Sequence, residues 1–107
     1  MPVINIEYDD SKIKDSEILH LSESIQKIVS QITSIKDVFV YANSARIKIN
    51  IAPIEIFVQM SANKIKDSDK LIEKIKSGLI IWKSKNSFKH NINLSLIPMD
   101  WKVEIGI

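Results

Sequence analysis

Two positions in this 107-residue chain carry chemistry that the rest of it lacks. Pro2 follows Met1, and methionine before a small residue such as proline is a usual substrate for methionine removal. Removal converts the Pro2 nitrogen from an amide into a secondary amine. An α-amine has a reference pKa of about 7.7–8.0, and burial or a neighbouring cation lowers it. A neutral prolyl amine is then a general base near neutral pH. With Met1 retained, the same nitrogen is a tertiary amide and no base. Arg46 is the second position, the sole arginine beside fourteen lysines. Its planar guanidinium can grip a carboxylate or enolate with two hydrogen bonds, which lysine copies poorly. The plainer reading of Arg46 is a strand arginine facing solvent.

Around these, Tyr8, Phe39, Tyr41, Phe57 and Trp101 can wall a pocket at a subunit interface, although aromatic residues are more often core. Trp82 falls on a helical apolar stripe and reads as core. His20 lies off its helix's stripe and reads as solvated, and His90 opens a strand and reads as structural. No histidines or carboxylates have metal-ligand spacing, and Asp9-Asp10 reads as a turn. No Ser-His-Asp set is suggested. Gly78 and Gly106 stand alone, so there is no glycine loop to cradle a phosphate. Neither metal nor cofactor is expected.

Composition narrows the class. The hydrophobic fraction is 45%, the charged fraction 26% and the net charge +2, with the charges interleaved. These values are ordinary for one globular domain and unlike a nucleic-acid arm or a polybasic membrane tail. There is no cysteine, hence no disulfide framework. "MPVINIEYDD" lacks the pattern of a signal peptide, and no apolar run approaches the roughly 20 residues a bilayer requires. A soluble cytoplasmic protein follows as the expectation.

The elements that must position these residues come in two copies. "KIKDS" occurs at Lys12 to Ser16 and again at Lys64 to Ser68. Each copy sits between a strand pattern and a helix pattern. "VINIEY" (Val3 to Tyr8) and "IEIFVQMSA" (Ile54 to Ala62) read as strands. Ile18, Leu21, Ile25, Ile28, Val29 and Ile32 form one helical stripe, fading near Thr33 and Ser34. Leu71, Ile72, Ile75, Leu79 and Trp82 form the other. Asp15 or Ser16 caps the first helix and Asp67 or Ser68 the second, with the first Ile of each motif placed to staple against its helix. "VFVYANSARIKINIA" (Val38 to Ala52) alternates with period two through Arg46, Lys48 and Asn50. His90 to Leu96 alternates likewise, as does "WKVEIGI" at the carboxyl end.

The predicted order is β-α-β-β-α-β with a short C-terminal strand, an α+β fold. Ile47, Ile49, Ile51, Ile56, Val58, Met60, Ile92, Leu94 and Leu96 are assigned to the sheet face under the helices. Lys48, Asn50, Gln59, Ser61, Asn93 and Ser95 are assigned to the opposite, polar face. That face is either open to water or lines a channel between subunits. The alternation of the first strand puts Pro2, Ile4, Ile6 and Tyr8 together on one face, so apolar surroundings for Pro2 are expected.

"MPVINIEYDD", "FVQMSANKIKDSDKLIEKI" (Phe57 to Ile75) and "NLSLIPMD" (Asn93 to Asp100) resemble the tautomerase superfamily, which includes macrophage migration inhibitory factor, and within it 5-carboxymethyl-2-hydroxymuconate isomerases. The resemblance implies one domain over residues 1–107, built as two pseudo-symmetric β-α-β units with halves at about 1–52 and 53–107. It implies a four-stranded mixed sheet with two helices on one face, and a homotrimer whose sheets enclose a channel, the tail Trp101 to Ile107 adding to a neighbour's sheet edge. It implies a cofactor-free isomerase of a small unsaturated keto or hydroxy acid, with Pro2 shuttling the proton. The chain departs from the resemblance in having Phe39, Tyr41 and Asn43 where relatives commonly carry arginines on the second strand, so a dicarboxylate substrate is not carried over. Two further readings stand beside the enzyme: a non-catalytic oligomer of the same fold, and a ferredoxin-like binding module.

Overall fold

Alternation and helical stripes become elements where the chain can satisfy its own backbone. A computed structural model describes residues 1–107. The strands are β1 (Val3–Tyr8), β2 (Phe39–Asn43), β3 (Ile54–Ser61) and β4 (Asn93–Met99); the helices are α1 (Asp15–Thr33) and α2 (Ser68–Asn86), with a short 3-10 turn at Ala62–Lys64. The sheet order is β2-β1-β3-β4. β1 pairs with β2 in parallel and β3 with β4 in parallel, while the central β1–β3 pair is antiparallel. That is the order a twofold axis between β1 and β3 generates from two β-α-β halves, which accounts for the placing of the two KIKDS segments.

Both helices cover the same sheet face. Ile4 and Ile6 of β1 and Ile54, Ile56 and Val58 of β3 share one buried cluster with Ile18, Leu21, Ile25 and Val29 of α1 and Ile75 and Leu79 of α2. β3 is buried at every second residue, the burial its period-two pattern requires. Ile92, Leu94 and Leu96 pack against the cluster from the β4 side. Gly78 lets α1 approach α2, because a Cβ there would lie 2.9 Å from Ile28 Cγ2.

The two helix starts differ in detail. Asp67 is the N-cap of α2, and its Oδ1 accepts from the Lys70 N–H at 3.1 Å. In the first copy the N-cap is Lys14, one residue earlier than expected, and Asp15 lies inside the helix. Glu17 substitutes: its Oε1 accepts from the Lys14 N–H at 3.1 Å, the reaching-back half of a capping box. Ile13, just before the cap, and Ile18, in the helix's first turn, are both in the buried cluster, as a hydrophobic staple requires.

Two expected strand segments are not strands within the chain. β2 stops at Asn43, and residues 44–53 make no ladder. The reason is length: β1, its only neighbour, ends at Tyr8, so the alternating residues beyond Asn43 have no backbone to pair with. Ile47 and Ile49 are therefore 84% and 85% exposed and lie outside the core. Lys48 and Asn50 belong to the same loop, with Asn50 in the left-handed region at φ 53°. The tail from Trp101 to Ile107 is likewise unpaired within the chain, leaving Val103, Ile105 and Ile107 exposed. The last strand starts at Asn93, three residues later than the alternation suggests.

The sheet face away from the helices is mixed in character. One cross-strand row runs Tyr41, Asn5, Phe57 and Ser95, and the next Asn43, Glu7, Glu55 and Asn93. Asn5 Nδ2 donates to Gln59 Oε1 at 3.2 Å. It thus carries aromatic side chains and two carboxylates besides the neutral polar residues expected there.

Candidate active site at the amino-terminal end of the sheet

Topology decides what meets Pro2. α1 runs back from the end of β1, so its last turn lies beside the start of β1. β3 is antiparallel to β1, Val3 facing Gln59, so β3 also ends there and hands on to the second KIKDS segment. The three converge on a cup of about 830 Å³. Met1, Met60, Ile32, Ile65 and Leu71 give it an apolar lining. Pro2, next in the chain to Met1, is fully buried and is not part of the lining; its carbonyl accepts from the Phe39 N–H at 3.1 Å. With Met1 attached, the Pro2 nitrogen is an amide.

The rest of the cup is basic. Lys64, Lys66, Lys70 and Lys74 line it, against the single carboxylate of Asp67. That carboxylate is already engaged by the Lys70 N–H. Four ammonium groups around an apolar recess favour an anion there. A cationic surrounding also favours the neutral form of any amine placed among them. Sequence reasoning did not pick out these lysines. The signal was the second KIKDS copy itself, read only as a helix start; its lysines face the chain's own beginning because β3 runs against β1.

The predicted site residues divide between the two ends and the open face of the sheet. Phe39 lies beside Val3 at the Pro2 end. Trp101 is at the same end, its Nε1 donating to Ser61 Oγ at 2.8 Å just past β3. Tyr41 and Phe57 flank Asn5 in the middle of the open face. Tyr8 and Arg46 lie at the far end, about 20 Å away along the six residues of β1. The Tyr8 hydroxyl donates to Asp15 Oδ1 at 3.0 Å. Desolvation first, then the Asp15 hydrogen bond and charge, push its pKa up. Within one chain neither residue reaches Pro2.

Arg46 instead lines a smaller hollow of about 400 Å³ with Lys12, Lys48 and Asp9. Lys48 is bound to Asp10 at 2.6 Å, which holds the Asp10 carboxyl below its ordinary value. Asp9 is lowered as well, chiefly by the Ser11 hydroxyl, which donates to its Oδ1 at 2.6 Å. The Arg46 guanidinium has no ion-pair partner. No group of His, Cys, Asp and Glu residues is arranged to hold a metal ion.

His90, read as structural, joins the second half to the first: its Nε2 lies 2.9 Å from Glu17 Oε2. His20 is exposed and meets the edge of Trp82 at a centroid distance of 5.3 Å. Trp82 packs on the core, as its stripe implies, yet its buried Nε1–H has no hydrogen-bond partner.

Sheet order, helix placement and the cup at the start of β1 define an α+β architecture, the fold of tautomerases and macrophage migration inhibitory factor-like proteins. The chain is similar to the crystal structure of a 5-carboxymethyl-2-hydroxymuconate delta-isomerase, with a TM-score of 0.68 and 11% identity over 99% of this chain and 89% of that one. A domain of unknown function from Sebaldella termitidis gives a TM-score of 0.69 at 14% identity, covering 100% of this chain and 98% of that one. A macrophage migration inhibitory factor-like protein from Entamoeba histolytica gives 0.55 at 16% identity over 96% and 93% of the two chains. No protein-family model and no curated protein matches the sequence. No helix is long and apolar enough to cross a membrane.

Proposed function

We propose that residues 1–107 work as one tautomerase-like domain, a cofactor-independent isomerase of a small unsaturated keto or hydroxy acid, with Pro2 as its general base once Met1 is removed. The observation that carries this reading is that Pro2 is fully buried and adjoins Met1, which lines an apolar cup walled by four lysines. The lysines hold the substrate's carboxylate. The apolar lining and the surrounding charge keep the prolyl amine neutral at working pH. That amine takes the proton from an enol hydroxyl or an activated carbon and becomes a prolinium. The electron pair left behind moves through the conjugated system, and the prolinium returns the proton at the other end. No net proton or electron is gained.

A homotrimer belongs to the same proposal. It is supported by the exposed, strand-patterned loop of Ile47 and Ile49, by the unpaired tail of Val103 and Ile105, and by Phe39 and Tyr41 exposed at the sheet edge. Tyr8, Arg46 and Phe57 enter substrate binding only through such an assembly or through a different substrate pose, whereas Trp101 already lies at the Pro2 end.

The test is intact mass of untagged protein followed by turnover of phenylenolpyruvate and 2-hydroxymuconate. A mass lacking methionine and a sharp fall of turnover in Pro2→Ala support the reading; unchanged turnover removes Pro2 from the mechanism. A mass that includes methionine favours the non-catalytic reading.

A further inference from the structure

The cup does not end at Leu71. Ile32, Lys70 and Lys74 also line a second hollow of about 510 Å³ that runs on between α1 and α2. Its apolar surface comes from Ile28 and Ile32 of α1 and Ile81 of α2. Ile81 is 57% exposed, so an isoleucine two turns beyond Lys74 faces water with nothing in the chain to cover it. Gly78 contributes no side chain to the floor between them. The shape is a groove open to solvent along one side, basic at one end and apolar at the other.

We infer that the lysine cup and the α1/α2 groove form one site for an amphiphilic anion, a carboxylate head with an unbranched hydrocarbon tail. This rests on the anion-binding role of the cup in the function proposed above, and not on catalysis by Pro2. The head sits among Lys64 and Lys66. The tail passes between the stems of Lys70 and Lys74, whose methylenes cover apolar surface while their ammonium groups stay in water. It then lies against Ile32, Ile28 and Ile81. Charge fixes the direction: Lys64 and Lys66 line the cup and not the groove, and no lysine beyond Lys74 lines the groove, so the anionic head is held at the cup end.

Calorimetric titration of the native protein with butyrate and with monomeric decanoate tests this. Each methylene taken out of water is worth about fourfold in affinity, so decanoate is expected to bind at least about tenfold tighter even in a half-open groove. Ile81→Glu, at an exposed position that does not bear on folding, should remove that advantage and leave butyrate binding unchanged. Lys64→Ala with Lys66→Ala should weaken both ligands alike. Equal affinity for the two acids, an Ile81→Glu protein that still prefers decanoate, or binding only to anionic lipid vesicles overturns the inference. Chain-length preference without isomerase turnover would keep this site and sink the proposed reaction; turnover without chain-length preference would do the reverse.

Discussion

Glu17 and His90 lie 73 residues apart and are joined at 2.9 Å, tying the start of α1 to the approach of β4. The same carboxylate also closes the first turn of α1 through the Lys14 N–H. The Lys14 hydrogen bond first, and His90 second, lower the Glu17 pKa from its ordinary 4.5. A depressed carboxylate stabilises the fold above its unfolded pKa and loses that contribution as pH falls through its folded value. Thermal melts of wild type and Glu17→Gln should therefore differ by a constant amount at neutral pH. The gap should narrow progressively below about 4.5. A gap that widens toward acid would contradict the assignment.

Gly78 sets how closely the helices approach. Replacing it with alanine gains about 1 kcal/mol of helix propensity. The new Cβ meets Ile28 Cγ2 at 2.9 Å, on a stiff branched side chain that cannot swing away. Overpacking of this kind costs about 1–3 kcal/mol, so the net effect should be a loss of roughly 1 kcal/mol in urea unfolding. In an Ile28→Ala background that loss should vanish or reverse, and the double-mutant cycle reads the contact directly.

The two KIKDS copies should respond differently to the same change. Asp67→Ala removes the α2 N-cap and should cost about 1 kcal/mol. Asp15→Asn removes no cap. Its readout is Tyr8, whose pKa should move back toward 10.0 by NMR titration while staying above it, because burial is the larger cause.

Charge in the cup has a kinetic signature. Lys66→Glu should raise KM for a carboxylate substrate about tenfold and leave kcat nearly unchanged, the mark of lost uniform binding. The wild-type KM should rise with salt as the exposed lysines are screened, and the variant's should rise less. Equal salt dependence in the two proteins would take Lys66 out of the site.

The βαββαβ order was legible because each element buries one face against a neighbour in the same chain: the Ile54, Ile56, Val58 alternation and the Ile18, Leu21, Ile25 stripe need nothing else. Ile47 and Ile49 were misplaced for the opposite reason. Their alternation is as regular as that of β3, but pattern carries no information about whether a pairing backbone is present. Pro2 stood out as a candidate because of its position next to Met1. The placing of Lys64 and Lys66 in the cup beside Met1 was not legible, because only the antiparallel run of β3 against β1 brings residues more than sixty positions apart together.

The buried ring of Pro2 and its carbonyl bond to Phe39 have a consequence for timing. An exopeptidase needs the first residues stretched out and unencumbered, and the closed sheet denies it that. During synthesis, however, the partners of β1 emerge some thirty-five to fifty-five residues later. Removal of Met1, which the proposed base requires, is therefore favoured in the interval before those segments arrive. A polypeptide that closes its sheet first is expected to keep its cap longer.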